Sequence, residues 1–259
     1  MISVAIPTIG RRETLHAVIF SVFQQAKCLL EELIILDEGD TPISEDYQIR
    51  QAIDLLSVYG ITTKVIRNRN RKGIANARLV LLKECKSEFV LMLDDDVCLD
   101  RDCVESLFKE LSHNSEIDYV VPVCLLVQKE AAAYSEDSLY NANKVTREDV
   151  KHITDKMPWF IPYFRYKDEF KAPIKVSGTQ AILLRKSKAM PLCEEMAGLG
   201  KLPREDTYLT SQLKGMFISK AESYHFVHPS QTREWGKDVF YELHHKVMDK
   251  PKMFIELFA

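Results

Sequence analysis

The first half of the chain alternates short apolar runs with stretches in which apolar residues recur every three or four positions. The apolar runs predict β-strands at residues 2–6, 33–36, 62–67, 89–93 and 119–127. The periodic stretches predict amphipathic helices at 13–25, 53–59, 74–85 and 104–111. Continuous apolar strands separated by helices are typical of a parallel sheet covered on both faces. We therefore predict an α/β fold with a Rossmann-like, mostly parallel sheet and helices on both faces.

The second half is less regular. Residues 129–175 are polar and aromatic and contain three prolines, so we expect an irregular insertion that lines a pocket. Beyond it, strands are predicted at 176–185 and 217–222 and helices at 205–213 and 235–248. No linker separates the halves, so we expect one continuous domain with a first half at 1–128 and a second half at 129–259.

Composition narrows the class of protein. The 35 basic and 38 acidic residues nearly balance, so nucleic acid is not an expected partner. The six cysteines form no Cys-x-x-Cys pair and no zinc-type spacing, which predicts reduced thiols. The N-terminus has no signal-peptide pattern, and the longest apolar run is about half the length of a membrane helix. We expect a cytoplasmic protein without a transmembrane segment.

Polar residues follow three of the predicted strands. Pro7 and Thr8 follow the first strand, Asp37 follows the second, and an acidic run that begins at Asp94 follows the fourth. In parallel α/β sheets, ligands bind beyond the carboxyl ends of the strands. We therefore expect these side chains to converge on one edge.

The acidic run Asp94, Asp95 and Asp96 is the strongest local feature. Three consecutive carboxylates repel one another unless a cation or hydrogen-bond donors offset their charge. Mg2+ and Mn2+ prefer oxygen ligands and commonly share phosphate oxygens. The alternative is a solvated acidic turn that caps the next helix. His225, after a later strand, is a candidate nitrogen ligand, and a structural histidine is the alternative. A spacing of three would put His225 and His228 on opposite faces of a strand, so we expect at most one of them to reach the site.

Two further segments suit a phosphorylated ligand. Asp37 can accept hydrogen bonds from a ribose or a base, or it can form a turn with Gly39. Lys72 and Gly73 precede a predicted helix that contains Arg78. Backbone amides at a helix start, with a basic side chain nearby, can bind phosphate; the alternative is a solvated basic loop.

Glu205 and Asp206 stand at another predicted helix start. Acids at this position are ordinary partners of the helix dipole. A carboxylate beside a sugar pocket can also take the proton from an attacking hydroxyl.

Taken together, these motifs resemble those of family 2 glycosyltransferases with the GT-A fold. The resemblance rests on VAIPTIGR at 4–11, SVFQQ at 21–25, IILDEGDT at 34–41, GIANAR at 73–78, FVLMLDDD at 89–96, VSGT at 176–179 and REDTYL at 204–209. It is close over residues 2–112 and weaker over 176–228. Glu38 departs from the family pattern, in which a second Asp is common.

The resemblance implies a role for each candidate residue. The donor nucleotide would contact the following residues: Pro7, Thr8, Asp37, Lys72, Gly73, Arg78, Asp94 and Asp95. Asp94 and Asp96 would form the D-x-D pair that holds Mn2+ or Mg2+, with His225 as an additional ligand. Asp206 would be the catalytic base, with Glu205 beside it. The first half would then bind the nucleotide-sugar and the second half the acceptor.

The function expected from this resemblance is metal-dependent transfer of a sugar from a nucleotide-sugar to a hydroxyl of a saccharide or other acceptor, with inversion. The family favours a UDP-sugar, with GDP- and dTDP-sugars as alternatives. A sugar nucleotidyltransferase would need a glycine-rich loop after the first strand, where only Gly10 occurs. A non-catalytic nucleotide-sugar-binding module would not need Asp206. The apolar segment 253–258 would pack on the core, on a partner subunit or on a membrane surface as a peripheral contact.

Overall fold

A computed structural model describes residues 1–126, 169–199 and 205–226. The strands are β1 Ile2–Thr8, β2 Leu30–Asp37, β3 Thr62–Arg67, β4 Phe89–Leu93, β5 Val97–Leu99, β6 Tyr119–Leu126, β7 Lys171–Ile174, β8 Ala181–Arg185 and β9 Gly215–His225. The α-helices are α1 Arg12–Phe23, α2 Tyr47–Val58, α3 Ile74–Glu84, α4 Cys103–His113, α5 Lys186–Gly198 and α6 Glu205–Ser211.

The strands form one sheet in the order β3-β2-β1-β4-β8-β6-β9-β5, and β7 pairs with β9 beside this path. The first four strands in this order are parallel, as are β6 and β9. Antiparallel pairs join β8 to β4 and β6, and join β9 to β5 and β7. The predicted α/β class is confirmed.

Side chains of β1 alternate between two apolar layers, as the two-residue repeat of a strand requires. Val4 and Ile6 pack with α1, α2 and α4 on one face. Ala5 packs with α3 and α5 on the other face, beside Leu36 of β2. Helices therefore cover both faces of the sheet. Burial on both sides explains why β1, β2 and β4 are continuous apolar runs.

Three elements differ from the sequence-based expectation. β5 is only three residues long and directly follows the acidic run, where a turn into α4 was expected. β7 lies inside 129–175, so the expectation of little regular structure is wrong at Lys171–Ile174. Helix α5 was not predicted, because Pro191 lies within it and its sequence shows no clear apolar stripe.

Several predictions fall outside the described residues. These are the helix at 235–248, His228, the aromatic part of the insertion, the apolar segment 253–258 and the division at 128/129. Residues Met1–Phe226 belong to one compact unit. Among the described residues, none of the helices is long and apolar enough to cross a membrane.

Candidate active site

The carboxyl ends of β1, β2 and β4 lie side by side. Thr8 at the end of β1 pairs with Asp37 at the end of β2, and the Glu38 amide donates to the Thr8 carbonyl over 2.8 Å. β4 runs parallel to β1 on its other side, so Asp94, which follows β4, emerges at the same edge. The polar groups at these strand ends are therefore neighbours in the structure.

Arg11 bridges two of the three consecutive aspartates. Its Nη1 lies 2.8 Å from Asp95 Oδ1 and 2.6 Å from Asp96 Oδ2. Asp95 also accepts a 2.6 Å hydrogen bond from the Thr8 hydroxyl, and its carbonyl accepts one of 2.8 Å from Thr14 in α1. Loss of solvent raises the pKa of Asp95 to about 6, although Arg11 and Thr8 oppose the shift. Asp95 thus ties the end of β4 to the start of α1.

Asp94 is the most accessible member of the acidic run, with 30% of its side chain exposed. Its amide donates to the Gln180 carbonyl over 2.8 Å, and its carboxylate lies 3.9 Å from Arg78 Nη2. Loss of solvent raises the pKa of Asp94 to about 7; Arg78 opposes this shift, and Asp96 and Asp95 add to it. A cation beside Asp94 would stabilise its ionised form.

Asp96 faces His225 across the pairing of β5 with β9. The Phe226 amide donates to the Asp96 carbonyl over 2.8 Å, and Asp96 Oδ1 lies 3.4 Å from His225 Nε2. Two ligands at right angles around a Mg2+-sized ion are about 3 Å apart, so this pair fits neighbouring positions around one cation. Within the described ranges, no group of three or more His, Cys, Asp or Glu side chains is arranged to hold a metal ion. Further ligands would therefore be waters or phosphate oxygens.

Arg78 joins the acidic run to the start of α6. Its guanidinium is buried, with Nη2 3.2 Å from Glu205 Oε1 and Nη1 3.8 Å from Met92 Sδ. Burial alone would lower the pKa of Arg78, but Glu205, Asp94 and Asp206 outweigh it and raise the pKa. Burial raises the pKa of Glu205, opposed by Arg78 and reinforced by Asp206. Asp206, in the first turn of α6, is half-buried beside this pair.

Asp37 organises the turn after β2. Its carboxylate accepts hydrogen bonds of 2.9 Å from the Gly39 and Ile43 amides, and Arg67 Nη1 lies 2.8 Å from Oδ1. A Cβ on Gly39 would lie 3.0 Å from the Gly10 Cα, so the turns after β1 and β2 can approach this closely because both carry glycine. The structure therefore shows Asp37 forming the turn, and its contact with a donor stays a prediction.

The remaining predicted donor residues belong to the same part of the molecule. Pro7 is half-buried immediately before Thr8 in β1. Gly73 adopts a φ of +95° directly before α3, a conformation that suits glycine. Lys72 is exposed in the loop that leads to this helix. The same loop contacts the turn after β2 through Arg71, whose Nε donates to the Glu38 carbonyl.

Two hollows flank opposite ends of the parallel strands. A cavity of about 290 Å³ beyond β2 and β3 is lined by Glu38, Gly39, Asp40, Arg67, Arg69 and Arg71. A larger hollow of about 470 Å³ includes Ser87 and Glu88, which precede β4. The smaller cavity is the one at the edge that carries Asp37 and Asp94, so we associate it with the candidate site.

Arg11 is the site residue that the sequence reasoning did not single out. It follows Thr8 by three residues, in the loop after β1, and the loops after parallel strands are where such sites lie. Its position in the loop after β1 was the sequence feature that could have indicated a role in the site. Its pairing with Asp95 and Asp96 depends on contacts across more than 80 positions of sequence.

The site belongs to the class of α/β ligand sites built at the carboxyl edge of a parallel sheet. Residues 3–188 match the family described as Glycosyl transferase family 2. This match covers more than half of the chain, and the chain belongs to glycosyl transferase family 2.

A curated relative in Haemophilus influenzae, an uncharacterized glycosyltransferase, is 27% identical over 120 residues. The alignment covers 46% of this chain and 37% of the relative, so this chain spans well under half of the relative's length.

Three solved structures share the fold. GalNAc-T7 with UDP, GalNAc and Mn2+ has a TM-score of 0.65 at 14% identity over 88% of this chain and 44% of that one. The mannosyltransferase PcManGT from Pyrobaculum calidifontis, with GDP-Man and Mn2+, has a TM-score of 0.57 and 15% identity, over 90% of this chain and 59% of that one. S. aureus TarS 1-349 with UDP-GlcNAc has a TM-score of 0.55 and 16% identity, over 88% of this chain and 58% of that one. These likenesses confirm the GT-A fold.

Proposed function

We propose that this protein transfers a sugar from a nucleotide-sugar donor to an acceptor hydroxyl. The observation that carries the proposal is the acidic cluster at the carboxyl edge of the sheet, where Asp96 faces His225 and Asp94 remains accessible. Membership of glycosyl transferase family 2 supports the reaction class. The structures of similar fold that contain UDP, UDP-GlcNAc or GDP-Man support a nucleotide-sugar donor.

Asp96 and His225 would hold a divalent cation, Mn2+ or Mg2+, and Asp94 would face the donor beside it. When bound, such an ion offsets the negative charge that builds on the departing nucleoside diphosphate. The spacing of Asp96 Oδ1 and His225 Nε2, 3.4 Å, supports this pair as ligands. Mn2+ in GalNAc-T7 and PcManGT supports the choice of ion.

The donor would lie between β1, β2 and α3. Pro7, Thr8 and Lys72 would border the nucleotide, and the backbone at Gly73 would meet its phosphates at the start of α3. Four of the predicted donor residues have side chains that are buried and bonded within the protein, so these side chains would act indirectly: Thr8, Asp37, Arg78 and Asp95. Asp37 would shape the turn beside the cavity, and Arg78 would hold Asp94 in place.

The transfer step requires a base for the acceptor. Asp206 would take the hydroxyl proton while the acceptor oxygen forms its bond to the anomeric carbon and the bond from that carbon to the diphosphate oxygen breaks. Direct displacement of this kind inverts the anomeric centre. The half-buried position of Asp206 in the first turn of α6 supports this role. Glu205 is held by Arg78, which leaves Asp206 as the base of the pair.

The proposed location is the cytoplasm. All six cysteines are free thiols, and five of them are at least partly buried. Persistent free thiols are typical of a reducing compartment.

Ligand screening tests the proposal. Thermal unfolding is followed with UDP, GDP and dTDP, each with and without Mn2+. A nucleotide that binds raises the unfolding temperature, and the rise should depend on Mn2+. The sugar-nucleotide that matches the stabilising base is then incubated without acceptor. Slow release of sugar indicates a transferase, whereas an intact donor over the same period indicates a binding module. If none of the nucleotides stabilises the protein with Mn2+, the proposal is wrong.

A further inference from the structure

Arg11 places a positive charge inside the acidic cluster. A single nitrogen, Nη1, contacts Asp95 Oδ1 at 2.8 Å and Asp96 Oδ2 at 2.6 Å. The three side chains are 19%, 5% and 1% exposed, respectively, so water screens this contact little. The guanidinium therefore offsets most of the repulsion between two adjacent carboxylates.

The two carboxylate oxygens of Asp96 have different neighbours. Its Oδ2 is held by Arg11, while its Oδ1 faces His225 at 3.4 Å. A divalent ion bound between Oδ1 and His225 would meet the Arg11 charge on the other side of the same carboxylate. Like charges at this range repel strongly when they are shielded from water. The cation alone should therefore bind weakly.

An anionic donor changes this balance. A nucleoside diphosphate adds negative charge beside the cation and provides further oxygen ligands. The repulsion from Arg11 is then offset, so cation and nucleotide should strengthen each other's binding by the same factor.

We propose that Arg11 is an internal counter-cation of the aspartate cluster, so that a divalent cation binds tightly only together with the nucleotide-sugar donor. This inference rests on the proposed metal-binding role of Asp96. Its consequence is that the donor and the cation bind as a pair. In the free protein, Arg11 partly offsets the charge of Asp95 and Asp96 without a metal.

Arg12 offers a matched control. It is the next residue, is also an arginine and is comparably half-buried, but its guanidinium contacts the Pro42 carbonyl rather than an aspartate. A neutral substitution there changes the net charge by the same amount without touching the cluster.

The test measures Mn2+ binding, with free Mn2+ followed by electron paramagnetic resonance in the absence of nucleotide. Arg11→Gln should lower the Kd for Mn2+ at least about tenfold, since it removes a charge within contact distance of a ligand. Arg11→Lys should stay within about threefold of the wild type because it keeps the charge. Arg12→Gln should also stay near the wild type. Arg11→Met provides a second neutral variant if Arg11→Gln is poorly folded by circular dichroism.

Nucleotide provides the second readout. In the wild type, the nucleoside diphosphate from the screen should lower the Kd for Mn2+ by a certain factor. In Arg11→Gln that factor should be smaller, by the same fold-change as the gain in Mn2+ affinity without nucleotide. The inference is overturned if the neutral variants bind Mn2+ no more tightly than the wild type, or if the gain survives Asp96→Asn. Loss of nucleotide-dependent Mn2+ binding in Asp96→Asn with no gain in Arg11→Gln would overturn the inference and leave the proposed function standing.

Discussion

Arg78 Nη2 lies 3.2 Å from Glu205 Oε1 and joins α3 of the first half to α6 of the second. Both side chains are largely buried, with exposed fractions of 3% and 13%. The same guanidinium is 3.9 Å from Asp94. One cation therefore connects the candidate donor-binding run to the helix that carries the candidate base.

Removing this cation should destabilise the fold. Arg78→Met leaves Glu205 as a buried carboxylate without its partner, which costs about 3–5 kcal/mol in the free energy of unfolding. The double variant Arg78→Met with Glu205→Leu should lose less than the single one, because no unpaired charge remains. Urea unfolding measures the free energy of unfolding of the wild type, the single variant and the double variant.

The exposed pair Lys83–Glu194, which joins α3 to α5, is the control for this cycle. Lys83→Met should change the free energy of unfolding by less than about 1 kcal/mol, because solvent screens the pair. Equal losses in Arg78→Met and Lys83→Met would show that burial does not set the strength of the Arg78–Glu205 contact.

Asp206→Asn should slow transfer without weakening donor binding. Loss of a general base lowers kcat by about 10²–10⁴, whereas the Kd of the nucleotide should stay within about threefold of the wild type, since the base acts on the acceptor. Ser211→Ala, exposed on the last turn of the same helix, should keep the wild-type kcat. Full activity in Asp206→Asn would remove this residue from the mechanism.

Gln25 holds the segment that follows the acidic run. Its side chain donates 2.9 Å hydrogen bonds to the Ser21 and Asp100 carbonyls and accepts one of 3.1 Å from the Val104 amide. Gln25→Leu leaves the buried Ser21 carbonyl and Val104 amide, and the partly buried Asp100 carbonyl, without that partner. It should lower the free energy of unfolding by about 1–3 kcal/mol. The neighbouring Gln24 is exposed, so Gln24→Leu should change stability by less than about 0.5 kcal/mol. Similar losses of stability in the two variants would contradict the stabilising role of the Gln25 hydrogen bonds.

Cys28 should be the fast-reacting thiol of the folded protein. It is the exposed cysteine, whereas burial raises the pKa of Cys85 to about 12 and those of Cys98 and Cys193 to about 11. Thiolate is the reactive form, so a disulfide reagent at pH 8 should titrate one thiol quickly and all six only after unfolding in guanidinium. Cys28→Ser should abolish the fast phase. Two or more fast thiols in the native protein would show that the buried cysteines are accessible.

The sequence predicted the parallel part of the sheet in detail. β3 and β4 have the predicted bounds, Thr62–Arg67 and Phe89–Leu93. β4 is an apolar run because it is buried on both faces. β3 is a largely exposed edge strand, and its β-branched residues are typical of a strand. The two strands that were missed, β5 and β7, both pair with the distant β9. β5 is too short to give a periodic signal and exists through its pairing with β9, more than 120 residues later. The same pairing of β5 with β9 brings Asp96 opposite His225.

Individual side-chain roles were less predictable than strand positions. The sequence allowed both a ligand-binding and a turn-forming interpretation of Asp37. The turn contacts with the amides of Gly39 and Ile43 appear only in the structure. Arg11 lay in a loop with another arginine beside it, and nothing local indicates which of the two turns toward the aspartates. Long-range packing decides such choices, and sequence periodicity carries no information about it.

Calorimetric titration of the nucleoside diphosphate chosen by the thermal screen tests the central claim, that Asp96 and its neighbours bind the donor through a divalent cation. In the wild type, Mn2+ should tighten nucleotide binding at least about tenfold, which corresponds to 1.4 kcal/mol. Asp100→Asn, an exposed acid just beyond the cluster, should keep that effect. Asp96→Asn should lose it. Undiminished Mn2+-dependent binding in folded Asp96→Asn would contradict the account.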